Sequence, residues 1–180
     1  MIDLSDIRRD FALKTFDEHE VLPDPIEMFE RWFGEALKPD VLEPNAMNLA
    51  TATPDGKPSS RVVLLKKIYN RGFVFFTNYE SKKAEQIDKN NYCALNFMWH
   101  ELERQVRIEG TIEKISGKES DTYFEVRPLK SKLGAWASPQ SQIIPDRDFL
   151  EQRVNFYEQQ FAKSEKVDRP LFWGGYLVKP

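Results

Sequence analysis

The sequence is poor in the residues that most often cross-link a chain or carry catalysis. Cys93 is its only cysteine and His19 and His100 its only histidines, which excludes an intramolecular disulfide framework and leaves no cluster with metal-ligand spacing. It has no glycine-rich dinucleotide loop, P-loop, nucleophile elbow or His-Glu-x-x-His helix, so the commonest short catalytic signatures are missing. Repeats, low-complexity tracts and apolar runs of membrane-spanning length are missing too. The opening stretch, MIDLSDIRRDFALK, carries charges where a secretory signal would be apolar, and the expectation is a cytoplasmic protein. A formal net charge of -3 argues against a general polyanion or nucleic-acid binder, which needs surplus Lys and Arg to neutralise phosphates. Chemistry is therefore expected either from a bound cofactor, for which the protein supplies anchors and orientation, or not at all.

What is present is material for a core: 41% of the 180 residues are hydrophobic and 13% aromatic, enough for one domain. Residues 1–22 are charged without a sustained apolar stripe and read as an arm, with residues 23–180 as the domain. Asp24-Pro25-Ile26-Glu27 announces a helix, with Ile26, Phe29, Phe33 and Leu37 as its buried stripe. From Met47 the period becomes strand-like: MNLATAT, a turn at Pro54-Asp55-Gly56, SSRVVLLKKI, a turn at Asn70-Arg71-Gly72, then FVFFTN. Ser81 is placed to cap a short helix, KKAEQIDKN, before two further strands, YCALNFMWH and ERQVRIEGTIEKI. Five strands on short turns point to an antiparallel barrel. Helices are expected at Lys118 to Arg127, from Pro128 through Trp136, and from Arg147 to Lys163 with Leu150, Val154, Tyr157 and Phe161 in register; LFWGGYLVKP reads as a strand whose Gly174 and Gly175 mark a bulge or a close backbone approach.

Two groups of residues have the chemistry of phosphate sites. In Arg61-Val62-Val63-Leu64-Leu65-Lys66, strand alternation places the two cations on opposite faces. Thr77 ends the next strand, and Ser81-Lys82-Lys83 puts a hydroxyl and two ammonium groups at a helix N-terminus, which attracts anions. Lys82 and Lys83 oppose the helix dipole there, so an anion site accounts for them better than a solvated helix start. Tyr123, Arg127 and Ser131 follow at spacings of four, on one side if the helix continues past Pro128. Trp136, Trp173 and Cys93 read as core, and His100 as a hydrogen-bonded support.

RVVLLK, FFTNYESKKAEQ, WHELERQVRIEG, YFEVRPLKSKLGAWAS, PQS and FWGGY together resemble, in order, the motifs of the pyridoxamine 5'-phosphate oxidase family, from about residue 23 to 176. The resemblance implies a mainly β fold with flanking helices, an FMN-binding antiparallel split barrel, working as a homodimer with FMN between subunits. It implies FMN-dependent oxidation of pyridoxamine 5'-phosphate or pyridoxine 5'-phosphate to pyridoxal 5'-phosphate with oxygen as acceptor. By the same resemblance Arg61, Val62, Val63, Leu64, Leu65, Lys66, Phe76, Thr77, Lys82, Lys83, Gln105, Gln140 and Ser141 hold FMN, while Lys66, Tyr123, Arg127, Ser131 and Arg8 bind the substrate.

The sequence departs from the family pattern in three places. Family members continue beyond FWGGY into a further strand and a segment with a Trp-Gln turn and an Arg-x-His pair, whereas this sequence stops at Pro180. Two expectations follow: β-strand LFWGGYLVKP is left with an unpaired edge, and a flavin- or B6-phosphate-binding protein with lost or redirected catalysis is the alternative function. Phe11 stands where the family's N-terminal lid ends in Tyr, and Lys82 where Arg is common, which keeps charge but gives up bidentate geometry.

Overall fold

The computed structural model describes every residue except Met1, Arg9, Phe11, Lys14, Pro39 and Asp40; the Phe11 lid position therefore lies outside the described residues. Asp24 starts helix α1 (Pro25–Ala36) by accepting the Ile26 amide at 2.8 Å, with Pro25 in the first turn. The same carboxylate takes a two-pronged ion pair from Arg71, and this holds its pKa well below the usual carboxylate value. Of the expected stripe Phe29 is buried, but Leu37 is 61% exposed because the helix ends at Ala36, which is buried instead.

The strands are β1 (Ala46–Ala52), β2 (Pro58–Leu64), β3 (Lys67–Tyr69), β4 (Gly72–Asn78), β5 (Tyr92–Trp99), β6 (Arg104–Lys114) and β7 (Trp173–Lys179). They form one antiparallel sheet in the order β2-β1-β5-β6-β7-β4-β3. The expected single strand SSRVVLLKKI is two: the Leu65 amide turns to Asn45 O and the Lys66 amide to Val74 O, both at 2.8 Å, so the chain leaves one sheet end and re-enters at the other. The two outermost strands are thus sequence neighbours, and the sheet rolls into an incompletely closed barrel.

The expected unpaired edge at β7 is not found, since β7 lies between β4 and β6. Its glycines are demanded by close approach: a Cβ on Gly174 would collide with the Tyr79 hydroxyl, and one on Gly175 with Ile115 and Phe76.

Phe29 and Ala36 of α1 and Ala84 and Ile87 of α2 (Lys82–Lys89) plug the barrel interior, packing with Met47, Leu49, Phe73, Phe75, Leu95, Phe97 and Trp99. A second cluster, Phe124, Leu133, Val167 and Trp173, seats α3 (Gly117–Glu125) and α4 (Leu129–Ala137) beside the barrel. Helix α5 (Arg147–Phe161) has no buried residue; it docks through Tyr157 and Phe161 against Trp136 and through Arg153, which donates to Ala137 O at 2.6 Å. No helix among the described residues is long and apolar enough to cross a membrane.

Candidate functional site

Edge strand β2, the end of β4, the start of α2, the α3–α4 junction and the loop after α4 enclose a cleft of 730 Å³. Among the described residues its lining holds five cations, Arg61, Lys66, Lys82, Lys83 and Arg127, and no Asp or Glu. Cations gathered without a counter-charge repel one another and make a standing site for an anion.

At the α2 end, Lys83 is buried and donates to Gln140 Oε1 at 2.6 Å, Thr77 Oγ1 at 3.0 Å and Ser81 Oγ at 3.1 Å. All three partners are neutral, so burial, helped by the nearby Arg61 charge, lowers the ammonium to about 8. Ser81 occupies the N-cap, yet its hydroxyl donates to Asn78 O rather than accepting a helix amide. The first-turn amides of α2 are therefore not capped by that side chain. Arg61 is oriented by Leu49 O, Thr51 and Ser59, again all neutral, and its guanidinium pKa is lowered by burial.

At the other end Arg127 lies on aromatic rings: its guanidinium is 4.4 Å from the Trp173 ring centre and 5.5 Å from that of Phe124. Its Nη1 is buried without a hydrogen-bond partner among the described residues, a cost of about 1–3 kcal/mol unless a ligand supplies an acceptor. Phe76, Tyr123 and Trp173 form a near-parallel wall, with Phe76 and Tyr123 centred 3.9 Å apart. Val62, Val63, Leu64, Val126 and Pro128 complete an apolar flank. An anion site at each end of an aromatic-walled slot fits a flat ring system bearing phosphate, and this donor set fits the FMN implied by the sequence.

Of the residues singled out from sequence, Arg61, Val62, Val63, Leu64, Lys66, Phe76, Thr77, Lys82, Lys83, Tyr123, Arg127, Ser131, Gln140 and Ser141 all line this cleft. Arg61 and Lys66 meet there, contrary to their expected opposite faces, because β2 stops at Leu64. Tyr123, Arg127 and Ser131 converge although the helix does not continue past Pro128; the break between α3 and α4 turns them inward. Leu65 points into the core instead. Gln105, on β6, and Arg8, whose Nε donates to Ser5 O at 3.1 Å, are exposed and outside the lining. His100 is exposed at the start of a single 3-10 turn. Trp173, read from sequence as core alone, also walls the cleft, and its position beside the double glycine was the available signal.

The family profile described as pyridoxamine 5'-phosphate oxidase matches residues 33–161. This chain belongs to that family. A pyridoxine/pyridoxamine 5'-phosphate oxidase of Cupriavidus taiwanensis is 53% identical over 180 residues, 100% of this chain and 84% of the relative. One from Cytophaga hutchinsonii is 49% identical over 178 residues, 99% of this chain and 83% of the relative. Among solved structures, PhzG from Burkholderia lata 383, in complex with tetrahydrophenazine-1-carboxylic acid, superposes with a TM-score of 0.86 at 29% identity, covering 94% of this chain and 83% of that one. A pyridoxamine 5'-phosphate oxidase-related, FMN binding protein from Nostoc punctiforme gives 0.69 at 16% identity, covering 89% and 83%, a likeness of fold. The family's split barrel is thus the frame on which the cationic cleft is built.

Proposed function

We propose that the protein is an FMN-dependent pyridoxamine/pyridoxine 5'-phosphate oxidase acting in the cytoplasm. The observation that carries this reading is the cleft, which among the described residues has five cations, no carboxylate and an unpartnered buried Arg127 nitrogen. Arg61, Lys82 and Lys83, with Ser141 and the first-turn amides of α2, would hold the FMN phosphate. Val62, Val63, Leu64, Phe76, Thr77 and Gln140 would border the flavin. Lys66, Tyr123, Arg127 and Ser131 would hold the phosphate of the B6 substrate, fixing the ring between them and the flavin so that its reacting carbon is oriented rather than searching. Bound FMN supplies the hydride-accepting ring and the route of electrons to oxygen. The chain's own residues bind, orient and exclude water.

The second subunit of the proposed homodimer would complete the cleft. On the outer face of β1, β2, β5 and β6, Val62, Tyr92 and Met98 are 67%, 70% and 38% exposed, beside Ala50 and Ala94, which join neither core cluster. Gln105 pairs with Met98 on that face, the placement expected of a residue serving the partner's flavin. Steady-state formation of pyridoxal 5'-phosphate tests the reading. The FMN-loaded protein is expected to turn over, and Arg127→Ala to raise KM for the phosphorylated substrate about tenfold or more while flavin content stays unchanged. An FMN-loaded protein inactive on both vitamers would refute it, and would favour a binding protein with redirected chemistry.

A further inference from the structure

Among the described residues no carboxylate holds the guanidinium of Arg61. Its Nη1 donates to Thr51 Oγ1 at 2.6 Å and to Leu49 O at 3.2 Å, and its Nη2 donates to Ser59 Oγ at 2.9 Å. A hydroxyl has one proton to give. Thr51 and Ser59 both direct theirs to the same atom, Gln86 Oε1, each at 2.6 Å. With those protons committed, a lone pair of each hydroxyl faces Arg61.

Gln86 lies on α2, 5% exposed, and does not line the cleft. We propose that Gln86 is a positioning residue for the anion site: its carbonyl fixes the hydroxyl protons of Thr51 and Ser59, which then aim Arg61 into the cleft. The inference rests on the reading of that end of the cleft as the FMN phosphate site. Because every member of the relay is neutral, Arg61 is held without losing its charge to an internal ion pair. The relay also couples two elements, since α2 carries Lys82 and Lys83 as well as Gln86. The helix that delivers the lysines from one side thereby sets the arginine, on β2, from the other. A buried network of this kind rigidifies only if every member is satisfied, so loss of the one acceptor shared by two hydroxyls should free both.

The test uses the full chain with Gln86→Met, which removes the acceptor at similar length, and Gln86→Glu, which keeps it. FMN and riboflavin, which lacks the phosphate, are titrated by flavin fluorescence. Gln86→Met is expected to weaken FMN about tenfold and riboflavin by less than about twofold, and to add less than about twofold to the FMN loss of Arg61→Ala. In the ligand-free protein, the Arg61 guanidinium nitrogens should give separate NMR resonances, averaged in Gln86→Met and retained in Gln86→Glu. Equal losses of FMN and riboflavin, an undiminished effect in the Arg61→Ala background, or Arg61 resonances unchanged by Gln86→Met would overturn the relay. Wild-type protein that binds no FMN would refute the cofactor reading alone, because the ligand-free resonances still decide for or against the relay.

Discussion

Lys83 shows how a single buried cation ties stability to binding with opposite signs. Burial and Arg61 lower it to about 8 from 10.5, so folding disfavours its charged form. That handicap is complete below pH 8 and fades as the pH rises through 8 towards 10.5. A phosphate favours the charged form, so FMN affinity should fall as the pH rises through about 8 while riboflavin affinity stays level. Titrations between pH 7 and pH 10 check this, and parallel curves for the two ligands would contradict it. Arg127 offers a second test. Its hold on Trp173 and Phe124 is that of a planar guanidinium, so Arg127→Lys should preserve charge yet raise substrate KM about tenfold. Cys93 is buried, with its thiol pushed up to about 12 by burial, and should resist alkylation in the native protein; stoichiometric labelling without unfolding would contradict that.

At the scale of elements, the β4–β7 contact is the joint between barrel and cleft. Gly175 pairs with Phe76, whose ring belongs to the aromatic wall. A methyl group there would collide with Ile115 and Phe76, and Gly175→Ala is expected to cost about 1–3 kcal/mol, with a weakened flavin site; an unchanged denaturation midpoint would count against the joint. The elements themselves were largely legible in the sequence. The apolar run FVFFTN, the alternation in ERQVRIEGTIEKI, the Asp24-Pro25 start and the helical spacing of α5 are local signals, and local signals suffice for them. What sequence concealed was where regular patterns stop. RVVLLKKI reads as one strand with no turn residue inside it, but closing the sheet redirects the amides of Leu65 and Lys66, bringing Arg61 and Lys66 into one cleft. Tyr123, Arg127 and Ser131, grouped in the sequence by helical spacing, do line one cleft, but a helix break and not a helix face gathers them. Trp173 both packs against Phe124 in the second core cluster and lines the cleft, and sequence signals only the first of these roles.

For the whole molecule, five cations and an aromatic wall converge on one cleft assembled from β2, β4, α2, the α3–α4 junction, the loop after α4 and β7. Association is the next level of that assembly. Ala94→Arg, on the outer face of β5, should drive the proposed dimer to monomer in sedimentation and reduce flavin content in step; a monomer with full FMN would show that one chain suffices. The proposed activity requires that the cleft bring flavin and phosphorylated vitamer together productively. The most direct measurement is the visible spectrum of the FMN-loaded protein when pyridoxamine 5'-phosphate is added without oxygen. Bleaching of the flavin band, with colour restored on admitting air, is the predicted result; a band that stays oxidised while the substrate binds would contradict it.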